Sequence, residues 1–190
     1  MHEQVRASII DVLERHRPLL AIAFRQRAKF EGWLKFELAA CAEQRGATSV
    51  CVEATSQDPA VASRRRSDVA FHFDHVRYDV ELKTPNSNWR LPGVDNVTRP
   101  ITKNIADIVL DARKLSASAD HGIVAFVLFP IPSGDARWHE YLERVSTTLK
   151  MQLSTVDHTA QITIPLSEAY GADAVVCCFD VRPNRTDAAA

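Results

Sequence analysis

Three residues near the middle of the chain have types and spacing suited to metal-assisted chemistry: Asp68, Glu81 and Lys83. They lie in two strand-like runs, Ser67-Asp68-Val69-Ala70-Phe71-His72-Phe73 and Val76-Arg77-Tyr78-Asp79-Val80-Glu81-Leu82-Lys83. Asp74-His75 separates the runs as a short polar turn. A two-residue hairpin turn fixes the pairing, with Phe73 facing Val76 and therefore Asp68 facing Glu81. Alternate residues of a strand share a face, so Glu81 and Lys83 point the same way. Like charges opposed in a sheet repel. A divalent cation between the carboxylates removes that repulsion, and a nearby ammonium reduces it. The bland reading of the same residues is a surface cross-strand ion pair, which contributes little.

The elements that must hold these residues can be read on either side. Val5, Ile9, Val12 and Leu13 form a helical stripe between about Glu3 and Arg17, which Pro18 interrupts. Leu19 to Arg27 reads as a second helix or a kinked continuation, and Lys29 to Gln44 as a stronger helix stopped by Gly46. Ser49 to Ala54 reads as a strand, and Ser56 to Arg66 as a polar loop. After the hairpin, Thr84 to Thr98 carries Pro85, Pro92 and Gly93 and reads as a long irregular connection, of the kind that is usually functional or mobile. Ile101 to Leu115 has helical spacing. The unbroken apolar run Ile123 to Phe129 has the pattern of a central strand covered on both faces. Asp135 to Leu149 reads as a helix, with Gln161 to Leu166 and Ala174 to Val181 as late strands. This order predicts an α/β fold, a central mixed β-sheet flanked by helices on both faces.

Composition bounds the rest. The 190 residues are 46% hydrophobic and 25% charged, which suits a single globular domain over 1–183 with a flexible tail over 184–190. A net charge of −1 leaves no global basic field, so any nucleic-acid contact must come from a local patch. No apolar stretch approaches a membrane span and the N-terminus lacks a signal peptide's layout, so a soluble cytoplasmic protein without membrane partners is expected. Cys41, Cys51, Cys177 and Cys178 show no zinc-ligand spacing and are expected to be reduced structural thiols.

A helix bearing Glu, then Asp68, then Glu81-Leu82-Lys83 resembles the PD-(D/E)XK nuclease superfamily, the restriction-endonuclease-like enzymes. The likeness runs from about Phe30 to Phe129 within a motif-bearing core over 30–129, with 1–27 as an N-terminal helical extension. One position departs: the Pro of the family's name is Ser67 here. The resemblance implies a restriction-endonuclease-like core and a Mg²⁺-dependent DNA phosphodiesterase, an endonuclease, with Mn²⁺ as a substitute ion. It implies that Asp68, Glu81 and the Leu82 carbonyl bind the ion, a set of hard oxygen donors suited to Mg²⁺. The ion would activate water and neutralise charge on phosphate. Lys83 would serve as base or as electrostatic stabiliser. RNA is not excluded as a substrate, and a homodimer is implied by the resemblance alone. The competing reading is a catalytically silent module of the same fold that binds nucleic acid or another protein.

Many members add a carboxylate from the preceding helix. Glu37 is favoured, because an acid among Phe36, Leu38, Ala40 and Cys41 needs a partner. Glu31 is the alternative, near the helix start, where the dipole alone favours an acid. The candidate nucleic-acid contacts are Arg64, Arg65 and Arg66 before Asp68, Trp89 and Arg90 in the following loop, and Lys103 on the next helix. For Trp89 stacking on a base competes with packing of the loop onto the body, and packing is the favoured reading. Asp79 reads as a solvated strand residue rather than an outer ligand, and His72 as a packed or hydrated histidine rather than a ligand. Glu53 reads as a residue that could join the site from the neighbouring strand, in a register the sequence does not fix.

Overall fold

A computed structural model of the chain describes residues 1–55, 66–95, 101–117 and 121–181. Three helices come first: α1 (His2–Arg15), α2 (Arg17–Gln26) and α3 (Glu31–Gln44). They are followed by β1 (Thr48–Thr55), β2 (Arg66–Phe73) and β3 (Val76–Lys83). Then come α4 (Ile101–Ser116), β4 (His121–Pro132), α5 (His139–Leu149), β5 (Thr159–Pro165) and β6 (Gly171–Val181). Pro18 does not interrupt a helix. It stands in the first turn of α2, where its missing N–H costs nothing.

The strands form one mixed six-stranded sheet in the order β1-β2-β3-β4-β6-β5. β3 and β4 run parallel, joined through α4, and the other neighbours are antiparallel. Both faces are covered. Leu13, Phe24 and Leu34 of α1–α3 pack with Val80, Leu82, Val127 and Phe129. Ile105 and Ile108 of α4 and Leu142 and Val145 of α5 pack with Val124, Phe126, Leu128 and Phe179 on the other face. Successive β4 residues therefore serve opposite layers, which is why this strand is an unbroken apolar run. Cys177 and Cys178 divide in the same way, one to each apolar layer, and all four cysteines are free. No helix among the described residues is long and apolar enough to cross a membrane.

Two local features place the motif residues. Asp74 and His75 both adopt left-handed backbone, with φ of 48° and 67°, as a two-residue hairpin turn requires. The β2–β3 ladder runs from Phe73↔Val76 to Val69↔Val80, so Asp68 and Glu81 stand at the next step. On the far side of β3, Gly122 lets α4 approach closely: a Cβ there would lie 2.8 Å from Leu115 Cβ. That contact brings the last turns of α4 down over β3.

The segment after Lys83 is held in place. Ser87 N–H donates to the Phe129 carbonyl at 2.7 Å, and Phe129 N–H donates to the Pro85 carbonyl at 3.1 Å. Arg27, itself 8% exposed, donates to the carbonyls of Ser87 and Asp95, each at 2.6 Å, and to that of Trp89. Asn86 Nδ2 returns a bond to the Arg27 carbonyl at 2.9 Å. The described part of the irregular connection is thus a fixed strap over the end of α2, with Thr84, Asn86 and Ser87 buried.

Candidate active site

The register builds a row of carboxylates across three strands. Val52↔Val69 and Ala54↔Ser67 place Glu53 of β1 opposite Asp68 of β2, and the hairpin places Glu81 of β3 on its other side. Glu53 takes a left-handed backbone, φ 59°, an uncommon conformation for a residue with a side chain. Asp68 is tied to both neighbours. Its Oδ2 accepts the Leu82 N–H at 2.7 Å, and its Oδ1 meets the Lys35 ammonium at 2.7 Å. Lys35 Nζ also donates to Glu53 Oε1 at 2.8 Å, and Arg66 Nε lies 2.6 Å from Glu53 Oε2.

Glu81 is 3% exposed, so the surface ion-pair reading does not describe it. Burial pushes its carboxyl up to about 7. The Asp68 and Asp111 charges push the same way, against the Lys114 ammonium bonded to Glu81 Oε1. Lys114 Nζ also donates to the Arg66 carbonyl at 2.8 Å. Lys83 lies 2.9 Å from Asp111 Oδ2. Burial works against its charge, but Asp111, then Glu31 and Asp68, outweigh that and raise its pKa above the ordinary lysine value. Burial likewise opposes the Lys35 charge, and Asp68 and Glu53 overcome it, so its pKa is raised. Lys35 in turn holds Glu53 below the usual carboxylate range.

The structure therefore brings Asp68, Glu81, Leu82 and Lys83 together, with Glu81 and Lys83 both directed to α4 as the alternation requires. Glu37 is a correction. Its Oε2 faces His16 Nε2 at 3.7 Å, at the α1–α2 junction. The inward position of α3 beside the strands belongs to Lys35, and Glu37 lies about 200° further round the helix. Glu31, one turn before Lys35, is the α3 acid whose charge acts on Lys83. The apolar setting assigned to Glu37 also fails at Phe36, which is 66% exposed.

Asp79 is a second correction. It is buried rather than solvated, accepting from Ser67 Oγ at 2.6 Å and from Arg77 Nε and Nη2 at 3.2 and 3.0 Å. Ser67 thus anchors the start of β2 through its hydroxyl.

Among the nucleic-acid candidates, Arg64 and Arg65 lie outside the described residues. Arg66 is exposed and adjoins the site through Glu53. Arg90 and Lys103 are exposed. Lys103 stands eight residues before Asp111, about 12 Å along α4. Trp89 is turned inward instead: it meets Tyr141 edge to face at 5.7 Å, and the Arg137 guanidinium lies 5.4 Å from its ring centre. Packing of the loop, not a free stacking platform, is what the structure gives it.

The residues that sequence reasoning missed are Lys35, Asp111, Lys114 and Arg27. Asp111 and Lys114 left a signal, an acid and a base three residues apart between the inward positions Ile108, Ala112 and Leu115. Lys35 left one too, as a charge beside Leu34 and Leu38 on the buried side of α3.

Asp68, Glu81 and the Leu82 carbonyl fit Mg²⁺ by donor chemistry, since all are hard oxygens and Mg²⁺ commonly takes one or two carboxylates, with waters and substrate phosphate completing the shell. Among the described residues, no group of three or more His, Cys, Asp or Glu side chains is arranged to hold a metal ion. Lysines are the present partners of these oxygens. Lys35 is on Asp68, Lys114 is on Glu81, and Lys83 Nζ is 3.4 Å from the Leu82 carbonyl. No family model, curated protein or solved structure matches the chain.

Proposed function

We propose that this chain is a Mg²⁺-dependent DNA phosphodiesterase, an endonuclease with a restriction-endonuclease-like core. The observation that carries the reading is Asp68 beside Glu81 at the motif end of the hairpin, with Glu81 buried and Lys83 on the same face of β3. The element order supports it: a helix, three antiparallel strands, a helix and a parallel strand surround the motif. Asp68, Glu81 and the Leu82 carbonyl would hold the ion. When bound, it would activate water and offset charge on the phosphate.

The chain's own groups then divide the work. Lys83, kept cationic by Asp111, suits stabilisation of a phosphate oxygen better than proton abstraction, because a raised pKa makes an ammonium a poor base. Asp68 holds β3 in place through the Leu82 amide. Arg66, Arg90 and Lys103 supply exposed positive charge for a phosphate backbone.

The lysines on the donor oxygens favour a second reading, a catalytically silent module that binds nucleic acid or protein without an ion. Incubation with plasmid, single-stranded and branched DNA in Mg²⁺ or Mn²⁺, against EDTA, separates the two. The nuclease reading expects cleavage that needs the ion and disappears in Glu81→Ala. Cleavage by Glu81→Ala at the wild-type rate refutes it, and ion-independent binding without cleavage favours the silent module.

A further inference from the structure

Three ammonium groups rest on the three oxygen donors of the site, and they differ in how firmly they are held. Lys35 has a side chain only 11% exposed and is shared by carboxylates of two adjacent strands, Glu53 and Asp68. Lys83 is paired with Asp111 and only grazes the Leu82 carbonyl at 3.4 Å. Lys114 is different. It rises from the last turn of α4 with its side chain 37% exposed, and reaches Glu81 Oε1 and the Arg66 carbonyl, while the Glu81 side chain is 4% exposed. Its long, flexible stem can carry the head group out to water without moving the helix.

Building on the nuclease reading, we infer that Lys114 is a resident cation on Glu81 that an incoming divalent ion must displace. Two cations cannot share Glu81 Oε1 at hydrogen-bond range without strong repulsion. With Lys114 in place, the buried carboxylate keeps a partner in the metal-free protein, which spares the fold an unpaired buried charge. The same contact lowers the site's affinity for metal, because each binding event includes breaking it. Lys35 does not exchange in this scheme: it stays between Glu53 and Asp68 Oδ1. The ion would meet Asp68 through Oδ2, whose present partner is the uncharged Leu82 N–H, leaving Glu81 as the donor whose cation departs.

The test is direct binding of Mn²⁺, followed by the electron paramagnetic resonance signal of the free ion at pH 8. It compares wild type, Lys114→Met and Lys114→Gln, with Asp68→Asn to locate the ion. Lys114→Gln keeps a donor for Glu81 while removing the charge, so it serves if the Met variant folds poorly. The expected result is a Kd about tenfold lower in both variants, well under the full repulsion of two cations on one carboxylate. Mn²⁺ should also raise Tm more in the variants than in wild type, because binding to the folded state stabilises it. Equal or weaker binding in both variants, with wild type still binding Mn²⁺ and cutting DNA, overturns the exchange and leaves the nuclease reading standing. Absence of Mn²⁺ binding from wild type and variants alike overturns both.

Discussion

The Leu82 amide donates to Asp68 Oδ2 at 2.7 Å, so the first motif acid is a structural tie as well as a candidate ligand. Its other oxygen carries Lys35. Asp68→Ala removes the acceptor for a buried amide and leaves Lys35 with Glu53 alone, a loss expected to cost about 3 kcal/mol. Asp68→Asn keeps a carbonyl oxygen for Leu82 and should cost about half as much. Urea unfolding of both variants measures the difference. Equal stabilities for the two would show that the Leu82 bond contributes nothing.

Arg27 is expected to matter for the strap rather than for the carboxylates. Its guanidinium serves the Ser87, Trp89 and Asp95 carbonyls, and burial lowers its pKa without removing the charge. Arg27→Ala strands these acceptors and should destabilise the protein by about 2–4 kcal/mol. Hydrogen exchange should accelerate at Ser87 and Val94 before it does in β4. Arg27→Lys should rescue little, because one ammonium cannot match three separated carbonyls as a planar fork does. Uniform acceleration across the sheet would contradict a local clamp.

Much of the scaffold is legible in the sequence, because its signals are local and periodic. The Asp74-His75 turn, the ladder it sets and the doubly covered β4 follow from turn chemistry and apolar pattern. What is not legible depends on rotation and on contacts distant in sequence. Glu37 and Lys35 are two residues apart on one helix, and which of them faces the strands depends on how α3 is rolled against β1 and β2. Asp79 looks like a solvated alternate until Ser67 and Arg77 close over it. The pairing of Lys83 with Asp111 joins residues on β3 and α4, which no short window contains.

The buried Glu81 gives the stability a pH dependence of definite sign. Its carboxyl is raised from 4.5 to about 7 by burial, then by Asp68 and Asp111, against the effect of Lys114. The folded state therefore holds a proton that the unfolded state has released, and stability falls as pH rises through that interval. The contribution is present below about pH 4.5 and lost above about pH 7, and the shift corresponds to about 3 kcal/mol. Histidines titrate in the same range, so the measurement is the difference between wild type and Glu81→Gln in urea unfolding at pH 5 and pH 8. Glu81→Gln should gain on wild type as pH rises. A gap between the two proteins that does not change with pH would show that Glu81 ionises as it does in water.

Gly122 tests whether α4 must lie this close for the site to form. An added Cβ would meet Leu115 Cβ at 2.8 Å, and a Cβ cannot rotate away as the tip of a long side chain can. Gly122→Ala must therefore lift α4 or slide it along β3 and β4, at a cost of about 1–3 kcal/mol. Because α4 carries Asp111 and Lys114, the same shift should loosen the Lys83 and Glu81 contacts together. On the proposed nuclease reading, cleavage should fall more than tenfold while far-UV circular dichroism stays unchanged. Leu115→Gly in the same chain removes the apposing Cβ itself, which Leu115→Ala would leave in place, and should restore part of the activity only if the Cβ clash is the cause. Full activity in Gly122→Ala alone would mean that the groups on α4 do not need their observed distance from β3.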